Sequence, residues 1–305
     1  MKKITILTFV SVILILFTNC NDSSHYKNQK PIEINTNTSR PVFSINDGKT
    51  RGKSLNVAIS TMISPKKTFY LYENLLRYIE GKVGIPIKLK QRKTYKEVND
   101  LLEEGKLDFA YVCSGAYVVA KRKFPLKILA VPVIDGKTYY QAYIIVSKSS
   151  GITKFEELRD KSFAFSDPLS NTGYKYVVKI LKDIGTKPDD YFSKTIFTFA
   201  HDYSIQAVAR GLVDGATVDG LVYDFLKINN PKRVKDVKII RKSPDFGIPP
   251  FVYAPSTNPD LIRKIQNILI GMDKDKKGKK ILNKLQIEKF VKVDPDIYNS
   301  IQSFN

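Results

Sequence analysis

Short apolar runs of β type alternate with segments of helical periodicity from residue 55 onward, and this alternation limits the fold more than any other feature of the chain. "LNVAIS" (55–60) is a strand, and Ser64-Pro65 then opens a helix with proline at its first position, where no needed donor is lost. Tyr72, Leu75, Leu76 and Ile79 recur at the spacing of a buried helix face, which stops at Gly81. "IPIKLK" is the next strand, and Thr94 to Glu97 has the form of a capping box before a helix that ends near Gly105. "FAYV", "ILAVPVI" and "AYIIVS" (142–147) are further strands. A second capping box, Thr153 to Glu156, precedes the strand "FAFS". "IFTFA" (196–200), a helix from Tyr203 to Arg210 and "GATV" complete the middle. "KIIRK", "FVYA" and a helix capped by Asn258-Pro259 fill the C-terminal third. This order predicts an α/β protein with mostly parallel sheets and helices on both faces.

The chain also echoes itself. "EGKLDFAYVCSGAY" (104–117) and "RGLVDGATVDGLVY" (210–223) share Gly105/Gly211, Asp108/Asp214, Ala110/Ala216, Val112/Val218 and Tyr117/Tyr223 at one constant offset. Each copy reads as a helix, a glycine stop, a buried strand and a loop at the carboxyl end of that strand. Open α/β sheets bind ligands at such ends, and a cleft between two similar lobes is a natural small-molecule site.

The first nineteen residues have two lysines, an apolar run from Ile4 to Phe17 and then Cys20. This is the pattern of a signal peptide, too short and wrongly flanked for a spanning helix. Cys20 resembles the lipid-modified cysteine of a bacterial lipoprotein, although Phe17 and Asn19 depart from the usual residues before it. Secretion with Cys20 unmodified is the alternative. Residues 21–53 are polar and carry few large apolar side chains, as expected of a flexible tether. The formal net charge is +20, or +18 without Lys2 and Lys3. An exported chain with its lysines scattered over helix faces is not a nucleic-acid binder. The charge instead is expected to draw small anions and anionic lipid from a distance. Two cysteines, one of them Cys20, leave no intrachain disulfide for the folded part, and two histidines with no CxxC or HExxH motif argue against a zinc site. His25 lies in the tether. No cofactor is called for.

"FSDPLSNTGY" (165–174) places Ser170, Asn171 and Thr172 at the start of the helical run Tyr174, Val177, Val178, Leu181. Capping needs one such residue; three of them with Gly173 are either an over-furnished cap or an anion site. This segment, "HDYSIQAVARGLVDGATVDG" (201–220) and "ISP" (63–65) together resemble the phosphate/phosphite/phosphonate substrate-binding proteins of ABC transporters, over roughly residues 54–260. The resemblance implies the two-lobed type II periplasmic-binding-protein fold with a two-strand hinge, a phosphorus oxyanion enclosed by lobe closure, and a permease as partner. It divides the chain into a signal peptide (1–19), a lipidated cysteine and tether (20–53), lobe 1 (54–141 and 250–305) and lobe 2 (142–249), with hinges near 141–147 and 242–250.

Carried over by position, the oxyanion cradle falls on Ser170, Asn171, Thr172 and Gly173. Asn171 replaces a hydroxyl common there, so its backbone N–H is expected to matter more than its side chain. The opposite lobe contributes Ser64 or Thr61, with Tyr95 and Tyr140 at the cleft, unless those tyrosines only pack. His201 either donates to the oxyanion or simply helps to start a helix capped by Asp202. Asp219 is either a ligand contact or a cap. Aminoalkylphosphonate binders of the family pair the ligand amine with carboxylates at positions that align near Leu221 and Pro249. Neither can neutralise an ammonium, and an unpaired amine in a closed cleft is unfavourable. The expected ligand is therefore phosphite, phosphate or methylphosphonate, bound by a monomer outside the cytoplasm, in the periplasm or at the cell surface. A sensor subunit for a membrane kinase would have the same fold. A hydrolase using Ser170 and His201 is the enzymatic alternative, though Ser170 sits in no nucleophile-elbow motif.

Overall fold

The computed structural model describes residues 54–302 and, before them, the two-residue strand Phe43–Ser44. The signal segment, Cys20 and the rest of the tether lie outside the described residues. In chain order the strands are β1 (Phe43–Ser44), β2 (Leu55–Ile59), β3 (Ile87–Leu89), β4 (Phe109–Tyr111), β5 (Lys127–Val133), β6 (Tyr139–Tyr140), β7 (Ala142–Ser147), β8 (Ser162–Phe165), β9 (Lys194–Phe197), β10 (Gly215–Asp219), β11 (Val237–Lys242), β12 (Phe246–Gly247), β13 (Phe251–Tyr253) and β14 (Lys289–Val291). The α-helices are α1 (Pro65–Val83), α2 (Tyr95–Glu103), α3 (Ser114–Lys121), α4 (Tyr176–Asp183), α5 (Pro188–Tyr191), α6 (His201–Ala209), α7 (Gly220–Asn229), α8 (Pro259–Ile270), α9 (Lys276–Leu285) and α10 (Asn299–Gln302).

Two sheets organise these elements. The first has the order β1-β3-β2-β4-β13-β5-β14 and the second β11-β7-β10-β8-β9. Both are mixed, not mostly parallel. Each has a parallel centre, β3-β2-β4 in one and β10-β8-β9 in the other. The antiparallel strands are a consequence of how the chain changes sheets. It leaves the first after β5 and enters the second as β7, antiparallel to β10. It returns after β11 and enters the first as β13, antiparallel to β4 and β5. The two passages, residues 134–141 and 243–250, are tied by a ribbon in which Tyr140 pairs with Phe246 and Tyr139 with Gly247. Residues 142–147, expected to cross, belong wholly to the second sheet. The tether also contributes to structure: β1 pairs with the otherwise open edge of β3.

The internal echo is structural. Gly105 and Gly211 both take the left-handed conformation, at φ 65° and 67°, that lets a helix end and the chain turn into a strand. Asp108 then accepts from the Asn56 N–H at 2.7 Å, and Asp214 from the Ser162 N–H at 2.8 Å, so each aspartate pins its strand to the neighbouring one. At the offset that relates these pairs, Ser64 matches Ser170, Tyr95 matches His201 and Cys113 matches Asp219. Where a loop was expected after each repeat strand, the structure has helices: α7 follows β10 directly and α3 follows β4 after two intervening residues.

Two of three local expectations shift. Helix α1 runs through Gly81 and stops at Gly84, whose φ of 79° provides the left-handed cap. The Thr94–Glu97 box forms in both directions. In the second box the carboxylate that reaches back is Glu157, accepting from the Thr153 N–H at 2.7 Å, because the chain there takes a tighter 3-10 turn, Phe155–Leu158. Apolar side chains close both halves: Leu75, Leu76, Ile79, Phe109 and Phe251 in the first, Ile145, Ile205, Val208 and Val218 in the second, all fully buried.

Candidate functional site

The carboxyl ends of the parallel strands from both sheets and the helix starts that follow them build the site. In the second half, β8 ends at Phe165, and from Ser166 the chain turns through Asp167-Pro168 to Ser170. The Ser170 side chain accepts from the Gly173 N–H at 3.0 Å, the capping geometry expected of it. Asn171–Lys175 form one wide π-type turn, with the Lys175 N–H bonded to the Ser170 carbonyl, before α4 begins. Such turns widen a helix at functional positions. Glycine is required at 173: a Cβ there would overlap Ser166 Oγ and lie 2.7 Å from His201 Cε1. The Thr217 hydroxyl donates to the Thr172 carbonyl at 2.5 Å and fixes the turn to β10.

The first half closes on this turn. A Cβ at Gly115 would lie 2.5 Å from the Leu169 carbonyl oxygen and 2.7 Å from the Asn171 nitrogen, so α3 abuts the cradle backbone. Two carboxylates also bridge the halves. Asp167 accepts from the Tyr95 N–H at 3.0 Å, and Asp202 from the Ser64 N–H at 2.8 Å and hydroxyl at 3.0 Å. Lys67 adds an ion pair to Asp202 at 2.8 Å.

Between the halves several polar atoms are buried without a partner: Ser60 Oγ, Tyr95 OH, Thr172 Oγ1 and both amide atoms of Asn171. Tyr140 lies beside Thr172 and shares a 2.6 Å hydrogen bond with Ser114. Burial holds the Tyr95 and Tyr140 phenols well above their usual range, so both keep their protons. Asp219 is an electrostatic neighbour of both tyrosines. Its Oδ1 accepts from the Leu221 N–H at 2.8 Å, so it caps α7. Burial raises its pKa to about 7, against the pull of the Leu221 and Val222 N–H groups.

The sequence-expected residues divide on this geometry. Tyr95 and Tyr140 lie near Asp219 and Thr172 lies beside Tyr140, while Ser170 and Gly173 shape the turn. At Asn171 the N–H faces the Cys113 sulfur of the opposite half and the side-chain amide is the free group. Ser64 is turned away, because its N–H and hydroxyl are both used by Asp202. The Thr61 hydroxyl donates to the Arg92 carbonyl at 2.7 Å. His201 supports the site from behind. Its Nδ1 accepts from the Asp219 N–H at 3.0 Å, so Nε2 carries the proton and faces Ser166 and Ser170 Oγ, each at 3.4 Å. Burial lowers its pKa to about 3, so the ring is neutral. An imidazole in this tautomer has no free nitrogen to take a proton from Ser170, which removes the pairing a Ser170–His201 hydrolase needs. Asp202 does not cap its own helix, whose N-cap is Ala200. Ser60 and Ser114 escaped the sequence reading. Ser60 is at the end of the first strand, as Ser166 is at the end of its counterpart, and that correspondence was the available signal.

A two-lobed α/β binding protein, with an enclosed set of neutral donors and one carboxylate at the strand ends, is the class this architecture defines. The chain belongs to the family of periplasmic substrate-binding proteins of phosphonate ABC transporters, whose profile it matches over residues 57–298. It is 26% identical to the phosphonates-binding periplasmic protein of Escherichia coli over 76% of this chain and 70% of that one. A solved binding-protein component of an ABC phosphonate transporter from Pseudomonas aeruginosa superposes with a TM-score of 0.78 at 23% identity, covering 82% of this chain and 85% of that one. The PhnD1 protein of Prochlorococcus marinus, solved with methylphosphonate, gives 0.73 at 18% identity over 83% and 97%. These likenesses confirm the type II fold.

Proposed function

We propose that this protein captures a phosphorus oxyanion without an amine (phosphite, phosphate or a small alkylphosphonate such as methylphosphonate) between lobes 54–141 with 250–305 and 142–249. Closure about the two inter-sheet passages encloses the ligand, and the loaded monomer delivers it to an ABC permease while Cys20, acylated, holds it to the membrane. The observation that carries this reading is the cluster of partnerless groups at Ser60, Tyr95, Asn171 and Thr172. A buried polar group without a partner costs about 1–3 kcal/mol, and an anion that accepts from the hydroxyls and the Asn171 amide N–H accounts for the donors among them. Asp219 completes the recognition. An oxyanion that keeps one proton donates its P–OH to the carboxylate and accepts from the neutral donors.

Titration calorimetry with phosphite, phosphate, methylphosphonate, 2-aminoethylphosphonate and sulfate tests this. The expected result is tight binding of at least one of the first three, with 2-aminoethylphosphonate markedly weaker. Absence of heat with every phosphorus oxyanion sinks the reading. Incorporation of labelled fatty acid into the wild type but not Cys20→Ala in the native host tests the anchor.

A further inference from the structure

The oxyanion groups do not fill the space between the halves. A cavity of about 410 Å³ opens from Ser60 and Asp219. At about 30 Å³ per water that is room for roughly a dozen waters, far more than a phosphorus atom and its oxygens occupy, and within the range of small-molecule sites. Its walls are mostly apolar and come from both halves: Met62, Leu71 and Tyr72 on one side, Leu221, Phe225 and Ile228 on the other. Leu221 and Pro249, the positions without a carboxylate for an amine, both line it. Besides Asp219, three carboxylates, Asp135, Asp224 and Glu288, line it, while its described lining holds no lysine or arginine. In a chain of net charge +20 that is a local inversion.

We propose, on the basis of the phosphorus-oxyanion reading above, that the ligand carries an apolar organic substituent of several carbons that lies in this cavity and has no anionic end. The phosphoryl head occupies the donors around Thr172 and Tyr95, and its substituent leaves past Asp219 between Tyr72 and Phe225. Burial of each methylene removes apolar surface from water, so affinity rises with chain length until the cavity is full. The carboxylates repel a terminal anion and leave a neutral end undisturbed.

Calorimetric titration of the purified protein with methylphosphonate, pentylphosphonate, phenylphosphonate and 3-phosphonopropionate decides it. Pentylphosphonate or phenylphosphonate should bind at least tenfold more tightly than methylphosphonate, and 3-phosphonopropionate more weakly than methylphosphonate. Phe225→Ala should lose at least fivefold for pentylphosphonate and less than twofold for methylphosphonate, which also shows that the variant is folded. Methylphosphonate binding as tightly as both larger ligands overturns the inference while the phosphorus-oxyanion reading stands. Tighter binding of 3-phosphonopropionate than of pentylphosphonate overturns it as well. No binding by any phosphonate or by phosphate overturns both.

Discussion

The Asp202 carboxylate, carried by the second half, caps the first helix of the other half by accepting from both the N–H and the hydroxyl of Ser64, at 2.8 and 3.0 Å. Ser64 opens α1 without a side-chain cap of its own, so the bond that normally comes from the local chain here comes from across the cleft. A cap is worth about 0.5–2 kcal/mol, and this one is made only while the halves are together. Asp202→Ala is therefore expected to weaken ligand binding about tenfold, with Lys67→Ala weakening it less. Calorimetry measures both, and an unchanged dissociation constant in Asp202→Ala would show that the bridge does not favour closure.

Thr172→Ala should separate binding from stability. Its hydroxyl is buried and partnerless without ligand, so removal relieves a desolvated group, and the ligand-free melting temperature should stay level or rise. Binding loses a hydrogen bond to a charged acceptor, worth about 1.5–3 kcal/mol, and affinity should fall at least tenfold. Tyr95→Phe should behave alike. A fall in ligand-free melting temperature of several degrees, with affinity intact, would make both residues structural.

Asp219 sets a pH dependence whose sign is unusual for a carboxylate. Its pKa is raised to about 7 in the folded chain, against about 3.9 unfolded. The folded state binds the extra proton between these values, so this contribution is full below about pH 4 and is lost as pH rises to about 7. The ligand-free protein should accordingly lose stability across that window, and Asp219→Asn should flatten the profile. Thermal melts from pH 4.5 to 8 measure it; superimposable profiles would mean Asp219 has an ordinary pKa.

Sulfate discrimination follows from the same group. Above pH 7 the Asp219 carboxylate is ionised and faces a sulfate oxygen with no proton between them, whereas a monoprotonated phosphorus oxyanion supplies one. Sulfate should bind at least a hundredfold more weakly than the preferred ligand at pH 8. The gap should narrow as pH falls through 7 and Asp219 gains a proton to donate. Asp219→Asn should narrow it at every pH. A gap independent of both pH and this substitution would reduce Asp219 to the cap of α7.

The fold was legible because strand and helix periods, glycine stops and capping boxes are local. The sheets' mixed character was not, because it arises where the chain changes sheets at 134–141 and 243–250, and no local pattern marks the direction in which β7 or β13 arrives. The turn from Ser170 to Gly173 could be read because capping and close approach constrain residue type there. His201 and Ser64 occupy positions that pattern reasoning places at the cleft. Their hydrogen bonds turn elsewhere because Asp219 N–H and Asp202, both distant in sequence, claim them. Ser60 was invisible for the opposite reason: a serine after "NVAI" has no neighbour in sequence to show that its hydroxyl is left free.

The two sheets are encoded differently along the gene. All five strands of the second lie in one uninterrupted stretch, from Ala142 to Lys242, whereas the first takes β1 to β5 from before that stretch and β13 and β14 from after it. A chain emerging N-terminus first therefore holds all strands of its second sheet while the first still lacks β13, the strand between β4 and β5. Pairings that span so much sequence form slowly. The apolar edge of β4 stays open until residue 253 is out, and that interval is when this protein is most exposed to aggregation and most in need of a chaperone.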